Sequence, residues 1–509
     1  MISAPALRTF KIYIKCIAGV FQYLNFNRLR ILPVFVLFLN PVFAQDETQY
    51  LLHEIPQTIS LNPAITYSCK NYIELPIISQ IKAYYRNSGF SHKQAFNGGK
   101  GTTGDTTQLD LDGLANALGN RNHIRVGGKI NLLGIGIEYN DWFFSMNINN
   151  RSSSRLSFNR DIVDARDGNW DLTTNLPREI NINGTGFHLL NFTEVALGAS
   201  FLVYPGLSLG GRVKYLLGSA HLQTRRSDIR LLTSESPIEL TGLSDLLIRG
   251  SLPATIRVGN DGYVEGINYN IQSFSDLIPF LFSWNHGIAI DAGVIYDYSD
   301  KIELSASILD LGFIHWRNNI NVISQEEDFV FQGIDLNNYL LMGNETDFLQ
   351  ALEDSIYSSF SVDASTDPYL ATTPTRIIAG ASYQWKKNIQ LGAVFEGEVL
   401  SSRFYPSLTF TAIGRPSEKL TASLSYSFMD RGYNSIGFGL VFGNGPFQLY
   451  LVSDNIPVNY VRETELGLFW PYNSRTMNIR AGINILFGCK DKNSLYHRLK
   501  WRKSCPAYN

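Results

Sequence analysis

Residues 419–428 alternate between polar and apolar side chains without a single exception. The polar side holds only Lys, Thr and Ser, and a period of two is the signature of a strand whose two faces differ. The same alternation recurs in residues 389–399 and 477–487. Strands of about ten residues with one apolar and one polar face are what a transmembrane β-barrel needs, whereas a soluble sandwich uses shorter strands. The apolar side of the first run is Leu420, Ala422, Leu424, Tyr426 and Phe428.

The composition fits a barrel better than a bundle of membrane helices. Mean hydropathy is only −0.06. No stretch of about 18 apolar residues follows the N-terminal region, so we expect no transmembrane helix. Aromatic residues make up 13% of the 509-residue chain, which suits aromatic girdles at two membrane interfaces.

Residues 1–44 are predicted to be a secretory signal peptide. Arg28 and Arg30 precede an apolar stretch, and cleavage is expected after Ala44. A later start, or a signal core within residues 12–24, remains an alternative. Without residues 1–44 the chain keeps 38 basic and 45 acidic residues and has no basic cluster ahead of its tail, which argues against nucleic acid as a partner.

Short turns predict the number of strands. Six turns join twelve strands, and one strand at each end (72–90 and 475–487) brings the total to fourteen, an even number as bacterial barrels require. The turns are Asn140-Asp141, Pro205-Gly206, Ser299-Asp300, Lys387-Asn388, Arg415-Pro416-Ser417 and Gly443-Asn444-Gly445. Aromatic residues beside them predict the periplasmic girdle. These residues are Tyr139, Trp142, Tyr204, Tyr298, Trp385 and Phe442.

The predicted fold is therefore an all-β transmembrane antiparallel barrel of about fourteen strands in the outer membrane of a Gram-negative bacterium. The barrel is predicted over 72–487, and a basic periplasmic tail over 488–509. The segment 45–71 is predicted as an N-terminal plug inside the lumen, with a periplasmic tail as the alternative. We expect extra strands above the membrane within 224–285 and a short helix within 336–360. The predicted strands are 72–90, 121–139, 142–158, 185–204, 207–223, 286–298, 301–318, 374–386, 388–400, 403–414, 418–429, 433–442, 446–454 and 475–487.

Three short segments carry a family resemblance. Asn62-Pro63-Ala64, soon after the predicted signal, resembles the N-terminal hatch of the FadL-type long-chain fatty-acid transporters, which are fourteen-stranded barrels with a plug. The same element resembles the mature N-terminus of the PorP/SprF family of Bacteroidota, which is tied to type IX secretion and gliding. Residues 310–319 and 373–376 resemble segments of other Bacteroidota barrels.

The resemblance implies two functions. The first is passive transport of a hydrophobic or amphipathic small molecule across the outer membrane, with Asn62, Pro63 and Ala64 as the gate of the plug. Proline suits this role because it lacks an N–H and resists joining a sheet. The second is an envelope structural or interaction protein of the PorP type, in which the C-terminal tail or the outer loops hold a periplasmic or surface partner.

Charged residues in the inward phase of the strands are candidates for lining the lumen. Side chains there can set the selectivity of a water-filled path, or they can form buried ion pairs that brace the wall or hold the plug. Both interpretations stay open. The candidates are Asp291, Glu303, Glu396, Glu398 and Arg480.

Cysteine positions suggest a disulfide in the tail. Cys489 and Cys505 lie close together in sequence, and an oxidising periplasm would let them pair, which leaves Cys69 over. The alternative is that all three are unpaired thiols.

The motifs of an enzyme are weak. Ser208 lies in a Gly-x-Ser-x-Gly pattern, but a nucleophile elbow needs a helix after its turn, and here an alternating strand follows. His188, His221, His286 and His315 have no convincing Ser and acidic partner in sequence. Metal-ligand spacings and phosphate loops are absent from the sequence, so we expect neither catalysis nor a cofactor. An outer-membrane hydrolase is kept as a third interpretation.

Overall fold

The computed structural model describes residues 47–489 except 66, 68, 98–107, 165–169, 172–173, 175, 178, 182, 234–239, 253, 259–263, 270–284, 326–328, 332–362, 401–402, 430–432, 444, 456–459 and 463–468. The predicted signal peptide, the predicted helix within 336–360 and the tail from residue 490 lie outside the described residues.

Antiparallel strands close into a barrel with fourteen strand positions, as predicted. The first position pairs with the last, so no edge is left open. The strands are Cys69–Glu74 continued by Ile81–Asn87, then Arg121–Tyr139, Trp142–Asn159, Gly186–Tyr204, Leu207–Thr233, Asn285–Asp297, Ile302–Trp316, Thr375–Lys386, Ile389–Leu400, Arg403–Ser417, Leu420–Met429, Tyr433–Phe442, Phe447–Ser453 and Thr476–Cys489.

The six predicted turns join neighbouring strands at one end, which we call the short-turn edge. Asn140 (φ 54°) and Gly206 (φ 94°) take the left-handed backbone that tight hairpins need. One turn was misplaced, because Arg415–Ser417 still belongs to a strand and the chain reverses at the next two residues. The opposite end, with the long excursions, is the long-loop edge.

The barrel is apolar outside and polar inside, the reverse of a soluble protein. In the strand Leu420–Met429, Leu424 is 59% exposed and Phe428 45%, whereas Ser425 and Ser427 are buried. The six aromatic residues predicted beside the short turns are all exposed on the outer wall. An apolar belt with aromatic residues at its rim is the surface that a lipid bilayer covers, so these strands span a membrane. Among the described residues, no helix is long and apolar enough to cross a membrane.

The first strand departs from the prediction of one continuous run over 72–90. It is interrupted at 75–80, where Pro76 cannot donate to the ladder and Ile77 has a φ of 67°. Residues 76–78 project outward into the apolar belt. Two backbone hydrogen bonds still connect this segment to the strands on either side. Ile77 N–H donates to the Asn131 carbonyl (2.7 Å), and Ile483 N–H donates to the Ile78 carbonyl (3.0 Å).

A second sheet layer rises at the long-loop edge. The strand Leu207–Thr233 continues ten residues past its predicted end and pairs with Leu240–Ser251, so the extra strands expected within 224–285 are confirmed. Strands within 319–373 were not predicted. They are Ile320–Gln325, Phe329–Phe331, Asp363–Ser365 and Tyr369–Thr372. Smaller elements are the strands Phe96–Asn97, Gln108–Leu109, Trp170–Asp171, Leu176–Pro177, Ile180–Asn181, Ala254–Val258, Val264–Tyr269, Tyr460–Arg462 and Phe469–Pro471, and the helices His92–Ala95, Leu111–Ala117 and Asp161–Asp164.

Residues 47–65, called the plug below, lie inside the barrel. They contain a short helix, Glu47–Tyr50, and a 3₁₀ turn, Pro56–Ser60, that begins with proline, the residue favoured at a first helical position. Apolar plug residues pack against inward-facing strand residues to form one core. Its plug members are Tyr50, Leu51, Leu52, Ile55 and Leu61, and its wall members include Ile378, Val394, Ile413, Val441 and Val452.

A disulfide joins Cys69 to Cys489, so the predicted pairing of Cys489 with Cys505 is wrong. The reason is the register of the closing seam, in which the first residue of the first strand stands directly opposite the last residue of the last strand. The bond therefore links the first strand to the last at the short-turn edge, close to the point where the plug continues into the wall. Cys505 lies outside the described residues.

Candidate functional site: the plug and the charged lumen

The predicted gate residues are wedged between the plug and two adjacent strands. Gly210 and Gly293 stand opposite each other in the wall. A side chain at Gly210 would overlap the Pro63 carbonyl, and one at Gly293 would overlap the Asn62 amide. The close approach therefore requires glycine at both positions. The three residues lie buried here, and their role as a gate remains a prediction.

Asn62 fixes the geometry of this contact. Its Nδ2 donates to the Tyr50 hydroxyl (3.1 Å) and to the Val294 carbonyl of the wall (3.3 Å). Its Oδ1 accepts from the Ala64 N–H (3.0 Å). One buried amide thus connects two parts of the plug with the wall, and its polar groups are satisfied.

Further inward glycines seat the rest of the plug. A Cβ at Gly380 would meet the Tyr50 ring, and a Cβ at Gly392 would meet Leu51. Gly437 and Gly439 lie in the same way against Thr48 and Leu52. The plug is therefore fitted into a groove of small wall residues, which the sequence indicated only as frequent Gly, Ser and Thr in the inward phase.

Polar contacts also hold the plug against the wall. Arg415 donates to Glu54 (2.6 Å), and His53 lies 3.8 Å from Glu303, one of the predicted lumen residues. Arg480, another predicted lumen residue, is fully buried; it donates to Asp454 (2.6 Å) and to Gln49 of the plug (3.4 Å). Glu303 and Arg480 thus contact the plug itself.

A layer of buried charges lines part of the lumen on the long-loop side of the plug. Lys214 is at its centre, with Nζ 2.7 Å from Asp291, 2.6 Å from Asp310 and 3.8 Å from Glu194. Buried charges need such partners, because an unpaired ion in a low dielectric is costly. We call this set the charged layer. Its members are Lys129, Arg151, Glu194, Arg212, Lys214, Asp291, Asp310, Arg376 and Glu396.

A backbone irregularity aims Asp310 into this layer. Asp310 has a φ of 61° and lies where the register between two strands shifts, as in a β-bulge. Its N–H donates to Asp291 (2.7 Å), and its carboxylate accepts from Arg151 (2.7 Å). The side chain of Asp310 therefore turns inward and joins cations from several strands.

A cavity of about 110 Å³ is lined by the plug, by members of the charged layer and by residues nearer the long-loop edge. Gln49, Ser60 and Leu61 of the plug contribute to its lining. Of the predicted lumen residues, Glu396 and Glu398 line it. Glu398 accepts two hydrogen bonds from Arg125 (2.6 and 2.8 Å), a bidentate pair across the barrel. Asp291 instead stands beside the cavity in its ion pairs with Lys214 and Arg212.

Most of the charged layer was missed from the sequence, although the signal was present. In the strand that starts at Leu207, the inward phase contains Ser208, Gly210, Arg212 and Lys214. Applying the period of two to this strand would have found both cations. Their partners on distant strands could not be read in this way.

The candidate enzyme motif is structural. Ser208 is buried inside a strand, paired with Ile295, and no helix follows it. His221 stacks on the buried Trp316, and its Nδ1 lies 2.9 Å from the Tyr369 hydroxyl, so it packs the long-loop edge. Within the described part of the chain, no group of three or more His, Cys, Asp and Glu residues is placed to hold a metal ion.

A closed barrel with an apolar outer belt, a polar lumen and an internal plug defines a plugged outer-membrane β-barrel. The chain belongs to a family described as a family of unknown function (DUF5723), whose profile matches residues 63–454. No curated protein matches the sequence.

Three solved structures are similar to this chain. The toluene transporter TbuX of Ralstonia pickettii shares 9% identity at a TM-score of 0.40, over 85% of this chain and 94% of that one. The toluene transporter TodX of P. putida shares 9% identity at a TM-score of 0.37, over 85% of this chain and 92% of that one. A Pseudomonas aeruginosa FadL homologue shares 11% identity at a TM-score of 0.37, over 85% of this chain and 94% of that one. Similarity at this level carries no argument about the substrate of this chain.

Proposed function

We propose that the protein is a plugged outer-membrane channel that lets a small amphipathic molecule cross passively. The observation that carries the proposal is the arrangement of the lumen. A plug held by packing and hydrogen bonds fills the short-turn side, and a cavity lies directly beyond it. A gated path requires a movable plug beside a cavity, whereas a lumen completely filled by packed side chains would leave no cavity.

The proposed path starts at the long-loop edge. A molecule is caught there, enters the cavity, and leaves when the plug shifts or when the wall opens sideways. The interruption of the first strand at 75–80 supports a sideways exit, since its exposed residues Ile77 and Ile78 already project into the apolar belt. The mixed polar and apolar lining of the cavity favours an amphipathic molecule over a pure hydrocarbon.

The alternative proposal is an envelope anchor of the PorP type. The density of contacts between plug and wall supports it, because a lumen that never opens would need the same fit. In that case the outer loops or the basic tail after residue 489 hold a protein partner, and the barrel only fixes them in the membrane.

Native mass spectrometry on protein gently extracted from its own outer membrane separates the two. Transport predicts an apolar or amphipathic molecule bound at near-equal stoichiometry. An empty barrel with a stoichiometric protein partner would overturn the transport proposal and support the anchor. A variant with a displaced plug, Gly210→Leu, should lose the bound molecule if the plug closes its site.

A further inference from the structure

The lining of the cavity carries more positive than negative charge. Among the described residues, eight basic and four acidic side chains line it. Including Asp291, Asp310 and Arg480, which pair with lining residues, and the buried Glu74, which interacts with Lys129 and Arg212, leaves nine basic and seven acidic side chains. An excess of buried cations in a lumen of low dielectric attracts anions from solution.

Arg212 is the side chain that most needs a further partner. It is 2% exposed and lines the cavity. Among the residues that the structure describes, none offers a hydrogen bond to its three guanidinium nitrogens, and its ion pair with Asp291 is 3.5 Å long. A buried guanidinium normally has its donors satisfied, and its planar fork matches the oxygens of carboxylate or phosphate. The donors of Arg212 are therefore available to an anion in the cavity.

Two more cations stand close to Arg212. Lys214 lies two residues further along the same inward face. Lys129 also lines the cavity, and its Nζ lies 3.7 Å from Glu194. Glu194 has other partners in Arg151 (3.2 Å) and Lys214 (3.8 Å). Lys129 can therefore turn toward an anion without leaving Glu194 unpaired.

The position of Arg212 links such an anion to the plug. Arg212 and Asp291 form the next inward pair after Gly210 and Gly293, the two glycines that hold Asn62 and Pro63. A cavity of about 110 Å³ has room for several water molecules and therefore for one small oxyanion. We infer that the cavity is a binding site for an oxyanion group, a carboxylate, phosphate or sulfate, with Arg212 as its principal donor.

The oxyanion has two possible sources: a free inorganic ion, or the head group of the amphipathic molecule in the proposed function. Isothermal titration of the full-length protein in an uncharged detergent distinguishes them. The probes are inorganic phosphate, hexyl phosphate and hexanol. Equal binding of both phosphates indicates a free ion, and at least tenfold tighter binding of hexyl phosphate indicates a head group.

Arg212→Gln is the test variant. It should weaken phosphate binding by roughly tenfold or more, as expected for lost hydrogen bonds to a charged group. Asp291 keeps Lys214 at 2.7 Å, so the wall stays neutralised. Arg230→Gln is the matched control, because Arg230 is a half-exposed arginine of the same strand beyond the cavity. Arg212→Lys, which keeps the charge, should restore part of the affinity. If Arg212→Gln fails to fold, Lys129→Gln replaces it with the same expectation.

Three results would overturn the inference: neither phosphate probe binds, hexanol binds as tightly as hexyl phosphate, or the test and control variants weaken binding equally. The head-group source rests on the proposed function, but the titration does not, because it measures binding without transport. An amphipathic molecule in the native extract together with no phosphate binding would reject this inference alone. Phosphate binding together with an empty native barrel would reject the proposed function alone.

Discussion

The two halves of the lumen are built from different interactions. On the short-turn side, apolar plug residues pack against inward Val, Ile and Tyr side chains, as in the core of a soluble protein. On the long-loop side, the charged layer is held by ion pairs, and each of its members belongs to a wall strand. The plug belongs to no strand of the barrel.

This difference indicates which part can move. The plug can leave the wall at the cost of packing and a limited set of polar contacts, and its groups can be solvated afterwards. The charged layer cannot be separated without splitting the barrel, because its partners lie on different strands. We therefore expect a fixed charged layer and a movable plug, and the following predictions test that assignment from the largest effect to the smallest.

Lys214→Met should destabilise the whole barrel. It leaves Asp291 and Asp310 without their closest cation, and breaking a buried ion pair costs about 3–5 kcal/mol. The measurement is the free energy of unfolding in urea in lipid vesicles. Lys301→Met, at an exposed position near the short-turn edge, is the control and should have no effect. A loss of unfolding free energy no larger than that of the control would contradict the assignment of the charged layer as the fixed part of the lumen.

Cys69→Ser should also lower stability, by roughly 2–4 kcal/mol, because a disulfide constrains the unfolded chain. The cross-link spans 420 residues and fixes the point where the plug joins the wall. The loss is measured as the temperature at which the folded band disappears on a gel. Cys505→Ser is the control; an equal loss there, or a peptide map that joins Cys489 to Cys505, would contradict the assignment.

Asn62→Ala should have the smallest effect and should act on the plug alone. It removes donors to Tyr50 and to the wall and the acceptor for Ala64, worth about 1–3 kcal/mol. Hydrogen exchange should become faster in residues 47–65 and stay unchanged in the strands. Ser60→Ala, which loses one hydrogen bond to Gln57 within the plug, should accelerate the exchange less. Equal acceleration in the wall strands would mean that plug and barrel open together.

Local patterns in the sequence predicted the wall well. The strand Leu420–Met429 was found because its consecutive residues alternate between an apolar and a polar face. The interruption of the first strand was missed, although Pro76 marks it, because the outward turn of Ile77 and Ile78 depends on hydrogen bonds to strands far along the chain.

The site was less predictable because its contacts cross the barrel. Arg151 and Asp310 are 159 residues apart, and their pairing depends on how the strands close. The Cys69–Cys489 bond depends in the same way on the register of the seam. Inward charges could be named from their phase, but neither their partners nor the glycines that seat the plug could be identified without the closed structure.

Single-channel recording in planar bilayers tests the central claim, that the plug on Gly210 and Gly293 closes the lumen. Gly210→Leu forces a side chain into the space of Pro63, whereas Gly211→Leu, one residue further, points outward and meets only an ordinary contact. With both variants folded, the account predicts open channels for Gly210→Leu and closed ones for Gly211→Leu and the unchanged protein. Equal conductance in all three would contradict it.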